Sequence, residues 1–469
     1  MADAFFLKAP ARKRKAPISA KKHIPNGSSG TASSKRPSRN GPGPNGNATI
    51  DDEELSNESE AESAGNDIDN RSEEYEQTDK SESADEKRLR IAKEYLKKLE
   101  DKDDEEENVE ERLRRDAMET AGRLHKRIAQ QLAGQTIAQS SIRSYKGHSQ
   151  PVTCVAVTGD DSTMYSGSKD CCCIRWDIET GKRIMYRGAK KGNSSQGHTD
   201  HVLSIAVSTD GNFLASGGAD QLVRVWDTRT NKLVESLKGH RDSITGLAFR
   251  QDSHQLYSAS SDRTVKLWNL DEMSYVETLF GHQAAITAID SLQKERCVTS
   301  GGSDHSVRLW KVVDETQLVF RSQPSSIDAV AMLTEELFIS GAQDGSLSCW
   351  NVSKKKPVCV LRNAHGSLSP WICSVAACPY TDLAASGSSD GFIRLWKVTS
   401  SDSGDPSRSL SPVLSVPVAG CVNGLAFAHS ARFLVAGVGR EHRLGRWNVN
   451  KEVKNGVHII MLPDEVRNR

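Results

Sequence analysis

Seven tryptophans each stand six residues after an acidic residue: Asp170/Trp176, Asp220/Trp226, Asp262/Trp268, Asp304/Trp310, Asp344/Trp350, Asp390/Trp396 and Glu441/Trp447. Successive tryptophans lie 40 to 51 residues apart, the length of one four-stranded propeller blade. Between them run short apolar stretches broken by turn residues, the pattern of consecutive antiparallel strands. The expected fold is therefore all-β: a seven-bladed propeller over residues 135–469, closed on itself so that no sheet edge is left at either end. Arrays of this kind present surfaces to partners, which weighs against an enzyme.

The formal net charge of zero conceals a segregation of charge. Residues 1–50 are basic and rich in Ser, Gly, Pro and Asn, and residues 51–83 are acidic and serine-rich. Neither block holds enough apolar surface to fold, so both are expected to be disordered. Arg12, Lys13, Arg14 and Lys15, then Lys21 and Lys22, form two basic clusters around a short spacer, a pattern that reads as nuclear targeting. From residue 84 to 134 the pattern turns helical. Leu89, Ala92, Leu96 and Leu99 make one stripe and Leu113, Ala117, Ala121, Leu124, Ile128 and Leu132 a second, both among many charges. Helices with such narrow apolar faces gain stability by packing on something else, and a partner is favoured over the propeller rim.

No run of apolar residues is long enough for a membrane span. The ten cysteines include no CxxC pair, so neither a zinc site nor any other metal or cofactor is expected. A small-molecule substrate is not expected either, because phosphate-binding loops and metalloprotease motifs are missing.

Gly147-His148, Gly197-His198, Gly239-His240 and Gly281-His282 open the first four units, and Trp176-Asp177, Trp226-Asp227 and Trp268-Asn269 close three of them. Ser166, Ser216, Ser258 and Ser300 precede the acids of these units by four residues. These motifs over about residues 141–462 resemble the WD40 family. The resemblance implies a buried relay in each unit: His148, Ser166, Asp170 and Trp176; His198, Ser216, Asp220 and Trp226; His240, Ser258, Asp262 and Trp268; His282, Ser300, Asp304 and Trp310. A buried indole N–H needs an acceptor and a buried carboxylate needs donors. The same triplet in unit after unit is not a catalytic triad, since nucleophilic sites are single; no catalytic residue is assigned. Unit five lacks the histidine, unit six has Ala364-His365, and unit seven has Gly437 in place of the serine. Ring closure is open between Ser141–Lys146 and Val457–Leu462 as the last outer strand.

Function is sought where the pattern breaks. The link after unit one carries Lys190 and Lys191 among glycines, which suits phosphate contact and equally an ordinary solvated loop. Trp371 lies outside the repeat positions and reads as a buried rim residue, with a surface anchor as the alternative. Unit seven crowds Arg440, His442, Arg443 and Arg446 into what reads as one hairpin, a candidate RNA or partner surface. With the other tryptophans in relay positions, no exposed aromatic platform for single strands is expected.

The segments GVGREHRLGRW, ETLFGHQAAI, RGAKKG and the upstream EKRLRIAKEYLKKLE narrow the resemblance to the family of U3 small nucleolar RNA-interacting WD40 proteins. That resemblance implies binding to the box B/C region of U3 snoRNA and to box C/D snoRNP core proteins. It also implies a role in the small-subunit processome, in pre-rRNA processing toward 18S rRNA, and a nucleolar location within the nucleus. The alternative is a substrate receptor for a cullin-type ubiquitin ligase, resting on the WDxR box at Trp226-Asp227-Thr228-Arg229.

Overall fold

The computed structural model describes residues 88–90, 92–93, 113, 115–116, 125–135, 137, 141–189, 197–321, 324–366, 371–399, 409–447 and 449–463. The basic clusters from Arg12 to Lys22, the acidic segment, and Lys190 and Lys191 lie outside the described residues. The strands form seven four-stranded antiparallel sheets. Six are contiguous in sequence, the first made of Val152–Val157, Thr163–Ser168, Cys173–Asp177 and Arg183–Tyr186. The seventh takes Cys421–Phe427, Phe433–Gly439 and Gly456–Met461 from the C-terminal end and Ile142–Tyr145 from ahead of the first blade. Ile142 faces Ile460 and Tyr145 faces Val457. Both closure candidates are thus used, side by side: the early segment is the outermost strand and the late one the third. The ring closes through a hydrogen-bonded ladder, which removes the exposed edge.

Six tryptophans, Trp176, Trp226, Trp268, Trp310, Trp350 and Trp396, donate their indole N–H at 2.8 Å to a Ser or Thr hydroxyl on the adjoining strand. In five blades a histidine bonds the same hydroxyl at 2.7–2.8 Å and turns its other nitrogen to the turn aspartate. Blade six forms the full relay despite Ala364 in the glycine position. In blade four the hydroxyl is Thr299, not the expected Ser300. Its second strand and turn read Thr299-Ser300-Gly301-Gly302-Ser303-Asp304, one residue longer than Ser166 to Asp170, and the extra residue is absorbed by the 3-10 turn Gly302–Asp304. Side chains alternate across a strand, so Thr299 faces the indole and Ser300 turns away to Thr287. Spacing counted from the acid picked the wrong neighbour.

The larger correction concerns Glu441/Trp447. The third strand of blade seven begins at Gly456, so residues 440–455 are a long loop rather than a hairpin. Trp447 has no relay partner there, since Gly437 supplies no hydroxyl, and its side chain is 65% exposed. Blade seven is held by apolar packing instead: Phe433, Val435 and Ile459 meet Val152, Val155 and Trp176 of blade one.

The second helical stripe does not run unbroken to Leu132. Lys126 forms a parallel bridge with Thr381, and only Ala129–Leu132 is helical beyond it. Asp382 accepts hydrogen bonds from the backbone N–H groups of Ile128 (2.7 Å) and Ala129 (2.9 Å), capping that turn. Ala129 and Leu132 are fully buried against Leu383, Leu395, Val416 and Leu434 of blades six and seven. This stretch docks on the propeller rather than awaiting a partner, because the two blades leave a groove that its apolar residues fill. Leu132→Ala is expected to destabilise the domain by about 2–5 kcal/mol, read as a shift of the urea midpoint; a shift near zero would mean that the docking adds nothing to ring closure.

Candidate nucleic-acid interface

Each relay joins the link that enters a blade to the turn between its second and third strands, so all of these links and turns share one end of the propeller. That end is basic. Exposed Lys146, Arg187, Lys238, Arg241, Arg263, Arg362, Arg440, Arg446, Lys451 and Lys454 lie there, with Asp200, Asp242, Asp344 and Glu452 as the exposed carboxylates among the described residues. The opposite end mixes signs, with Asp160, Glu179, Asp252 and Glu336 beside Lys182, Lys232, Lys294 and Lys354. Clustered cations on one face raise the local potential for polyanions.

The loop 440–455 crosses this basic end, anchored at several points. Lys169, on the corresponding turn of blade one, donates to Glu441 Oε1 at 2.9 Å and to the His442 carbonyl at 2.8 Å, with the Lys169 and Glu441 side chains both buried. Asn423 accepts from the Arg443 backbone N–H at 2.9 Å and donates to the Glu441 carbonyl at 3.0 Å. The Arg443 side chain reaches over the central channel to the carbonyls of Asp328 (2.8 Å, blade five) and Thr287 (3.3 Å, blade four). The channel beneath is a cavity of about 330 Å³, lined by the innermost strands and by Arg443.

These anchors sort the predicted residues. His442 is buried and neutral, its imidazole pushed down to about 3 by burial and by the charges of Arg443 and Lys169. Its Nδ1 accepts from the Leu444 backbone N–H at 3.2 Å. Arg443 is spent on backbone carbonyls. Arg440 and Arg446 remain exposed: Arg440 Nε donates to the Val453 carbonyl at 2.7 Å and Arg446 Nε meets Glu441 Oε2 at 3.2 Å, which aims both guanidinium groups without burying them.

Three aromatic rings meet at this loop. Trp371, His442 and Trp447 pack together with their rings tilted by 34–43°, the centroids 4.2 Å apart for Trp371 and His442 and 5.4 Å for the two tryptophans. Trp371 is half-buried and donates its indole N–H to Asp328 Oδ2 at 2.6 Å. The expectation of no exposed aromatic platform therefore fails, because Trp447, although at a relay spacing, has no hydroxyl to receive its indole N–H and stays exposed. The missing serine at Gly437 was the signal that could have released it. Lys169 and Asp328 carried no signal of their own, since their roles depend on contacts between blades.

Trp226 and Asp227 end the third strand of blade two and Thr228 and Arg229 open the turn to the fourth, with Asp227 Oδ1 accepting from the Arg229 backbone N–H at 2.9 Å. Asp177 closes the matching turn of blade one in the same way, at 3.0 Å to Glu179, so the box has no geometry that its neighbour lacks.

The pattern of the WD domain, G-beta repeat, matches residues 139–177, 190–227, 231–269, 273–311 and 355–397. These five units are the ones with a complete histidine relay; the two left out lack it. The chain is similar to U3 small nucleolar RNA-interacting protein 2 of Mus musculus, with 43% identity over 399 residues, 81% of this chain and 82% of that protein. Among solved structures it is similar to one described as the structure of U3-55K, with 46% identity, a TM-score of 0.66, and coverage of 70% of this chain and all of that one. It is also similar to the crystal structure of RRP9 WD40 repeats, with 46% identity, a TM-score of 0.67, and coverage of 70% of this chain and 99% of that one.

Proposed function

Because the chain belongs to the WD40-repeat family of U3 small nucleolar RNA-interacting proteins, we propose that it is a non-catalytic component of the U3 snoRNP that acts in pre-rRNA processing. Its ligand is the box B/C region of U3 snoRNA, engaged together with box C/D snoRNP core proteins in the nucleolus, within the small-subunit processome. The observation that carries this reading is the basic end of the propeller, where the anchored loop 440–455 displays Arg440 and Arg446. Phosphate contacts from such groups position an RNA without reading its sequence. Specificity then comes from the shape of the loop and from neighbouring snoRNP proteins.

The test is a double substitution, Arg440→Ala with Arg446→Ala, in the full-length protein. Arg443 is left intact because its loss would release the loop. U3 RNA recovered with the variant from nuclear extract is expected to fall about tenfold, and the salt dependence of binding to a box B/C transcript is expected to become shallower by roughly one to two in log–log slope. The melting temperature should not change. Unaltered recovery and slope would remove this loop from the interface.

A further inference from the structure

The exposed indole of Trp447 is the feature that the phosphate contacts leave unused. An isolated tryptophan with 65% of its surface in water is costly in apolar area, yet this one is held in place. Trp371 and His442 pack beside it at centroid distances of 5.4 and 5.7 Å. Gly445 lies against the ring: a Cβ there would come within 2.7 Å of the indole carbons, so only glycine admits the ring in this position. Trp371 is in turn tied to Asp328 in blade five. The indole is thus a braced plate rather than a loose side chain.

Its surroundings select the occupant. Arg440 and Arg446 are exposed on the same loop, and Lys169 and Arg443 lie beneath it. A cationic ligand, such as a lysine or methylated lysine, would be drawn to the ring face but repelled by the exposed guanidinium groups of Arg440 and Arg446 and by Arg443 below them, the charge of Lys169 being matched by Glu441. A planar ring carrying negative charge on its linker suits both features. We infer that Trp447 is a stacking platform for one unpaired nucleobase of the bound RNA, with the flanking phosphates on Arg440 and Arg446. The inference rests on the proposed function and narrows it: the loop recognises a base turned out of the helix, in addition to the backbone of a paired stem. Stacking on an aromatic plate tolerates every base, so the platform senses that a base is unpaired rather than which base it is.

The experiment uses the full-length protein and three RNA hairpins of one sequence: one with a single bulged 2-aminopurine, one with an abasic site at the bulge, and one fully paired. Wild type is expected to bind the bulged hairpin about tenfold more tightly than the abasic one and to quench the 2-aminopurine fluorescence. Trp447→Ala should lose that preference and the quenching, while Trp447→Phe keeps most of both; the salt slope should be the same for all three proteins. Equal wild-type affinity for bulged and abasic hairpins, or a preference retained by Trp447→Ala, would overturn the platform and leave the proposed function standing. Wild-type protein that binds none of the hairpins, nor a box B/C transcript, would overturn both.

Discussion

Asp220→Ala is expected to destabilise the propeller by about 3–5 kcal/mol, whereas Asp344→Ala costs only about 0.5–1 kcal/mol. Both residues occupy the same place in their repeats. Asp220 accepts from His198 at 3.0 Å, from the backbone N–H of Thr199 at 3.2 Å and from Arg224 at 3.2 Å. Arg224 is 1% exposed and keeps its bond to Ser236 at 3.1 Å, but removing the carboxylate takes away the counter-charge of a buried guanidinium. Asp344 is exposed, belongs to a blade without a histidine relay, and among the described residues accepts from Ser346, at its backbone N–H (3.0 Å) and its hydroxyl (2.6 Å). Urea unfolding of the two variants decides the matter; equal costs would mean that the relays add nothing beyond turn capping. The same carboxylates set the acid limit. Burial alone would raise the pKa of Asp220 and Asp304, but bonds from His198 and His282 outweigh it and hold both below 3.8, Asp304 at about 2. A carboxylate depressed in the folded state contributes stability above its unfolded pKa and loses it as pH falls through the folded one. Unfolding is therefore expected to steepen between pH 3.8 and about 2, and Asp304→Asn should flatten that limb.

Lys169→Met should cost about 3–5 kcal/mol and release the loop 440–455. Lys169 belongs to blade one and Glu441 to blade seven, so their bridge spans the seam where the ring closes. Without the ammonium, Glu441 keeps only Arg446, whose side chain is 76% exposed and therefore heavily screened. Pairing Lys169→Met with Glu441→Gln removes both buried charges and should recover most of the loss, because an unpaired buried charge costs more than an absent pair. Hydrogen exchange in residues 440–455 provides the second readout: it should rise in the single variant and return toward wild type in the double one. Exchange unchanged in Lys169→Met would show that Arg443 and Asn423 hold the loop unaided.

Much of the fold was legible because its determinants are local. The acid-to-tryptophan spacing within one hairpin identified six blades correctly, and His365 completed a relay although Ala364 broke the Gly-His pattern. The failures came where one residue of register or one connection changed the geometry. An inserted residue in the turn of blade four moved the relay from Ser300 to Thr299, a shift that counting back from Asp304 cannot detect. Glu441 and Trp447 kept the six-residue spacing after the strand they implied had moved to Gly456–Met461. Leu132 looks from sequence like part of a helix in search of a partner, because the groove it fills is built from blades more than two hundred residues away.

The sequence by itself determined that seven units would stack into a closed all-β ring and that the first four of them would carry a histidine relay, since strand alternation, turn residues and relay chemistry operate within about forty residues. It also marked the segment around Arg440–Arg446 as the least regular. Only the tertiary structure decided what that segment is. Lys169 from blade one, Asp328 from blade five and Trp371 ahead of blade six converge on it, burying His442, committing Arg443 to backbone carbonyls and leaving Arg440, Arg446 and Trp447 exposed. Whether a side chain is buried or displayed depends on neighbours that the chain brings together only when the ring has closed.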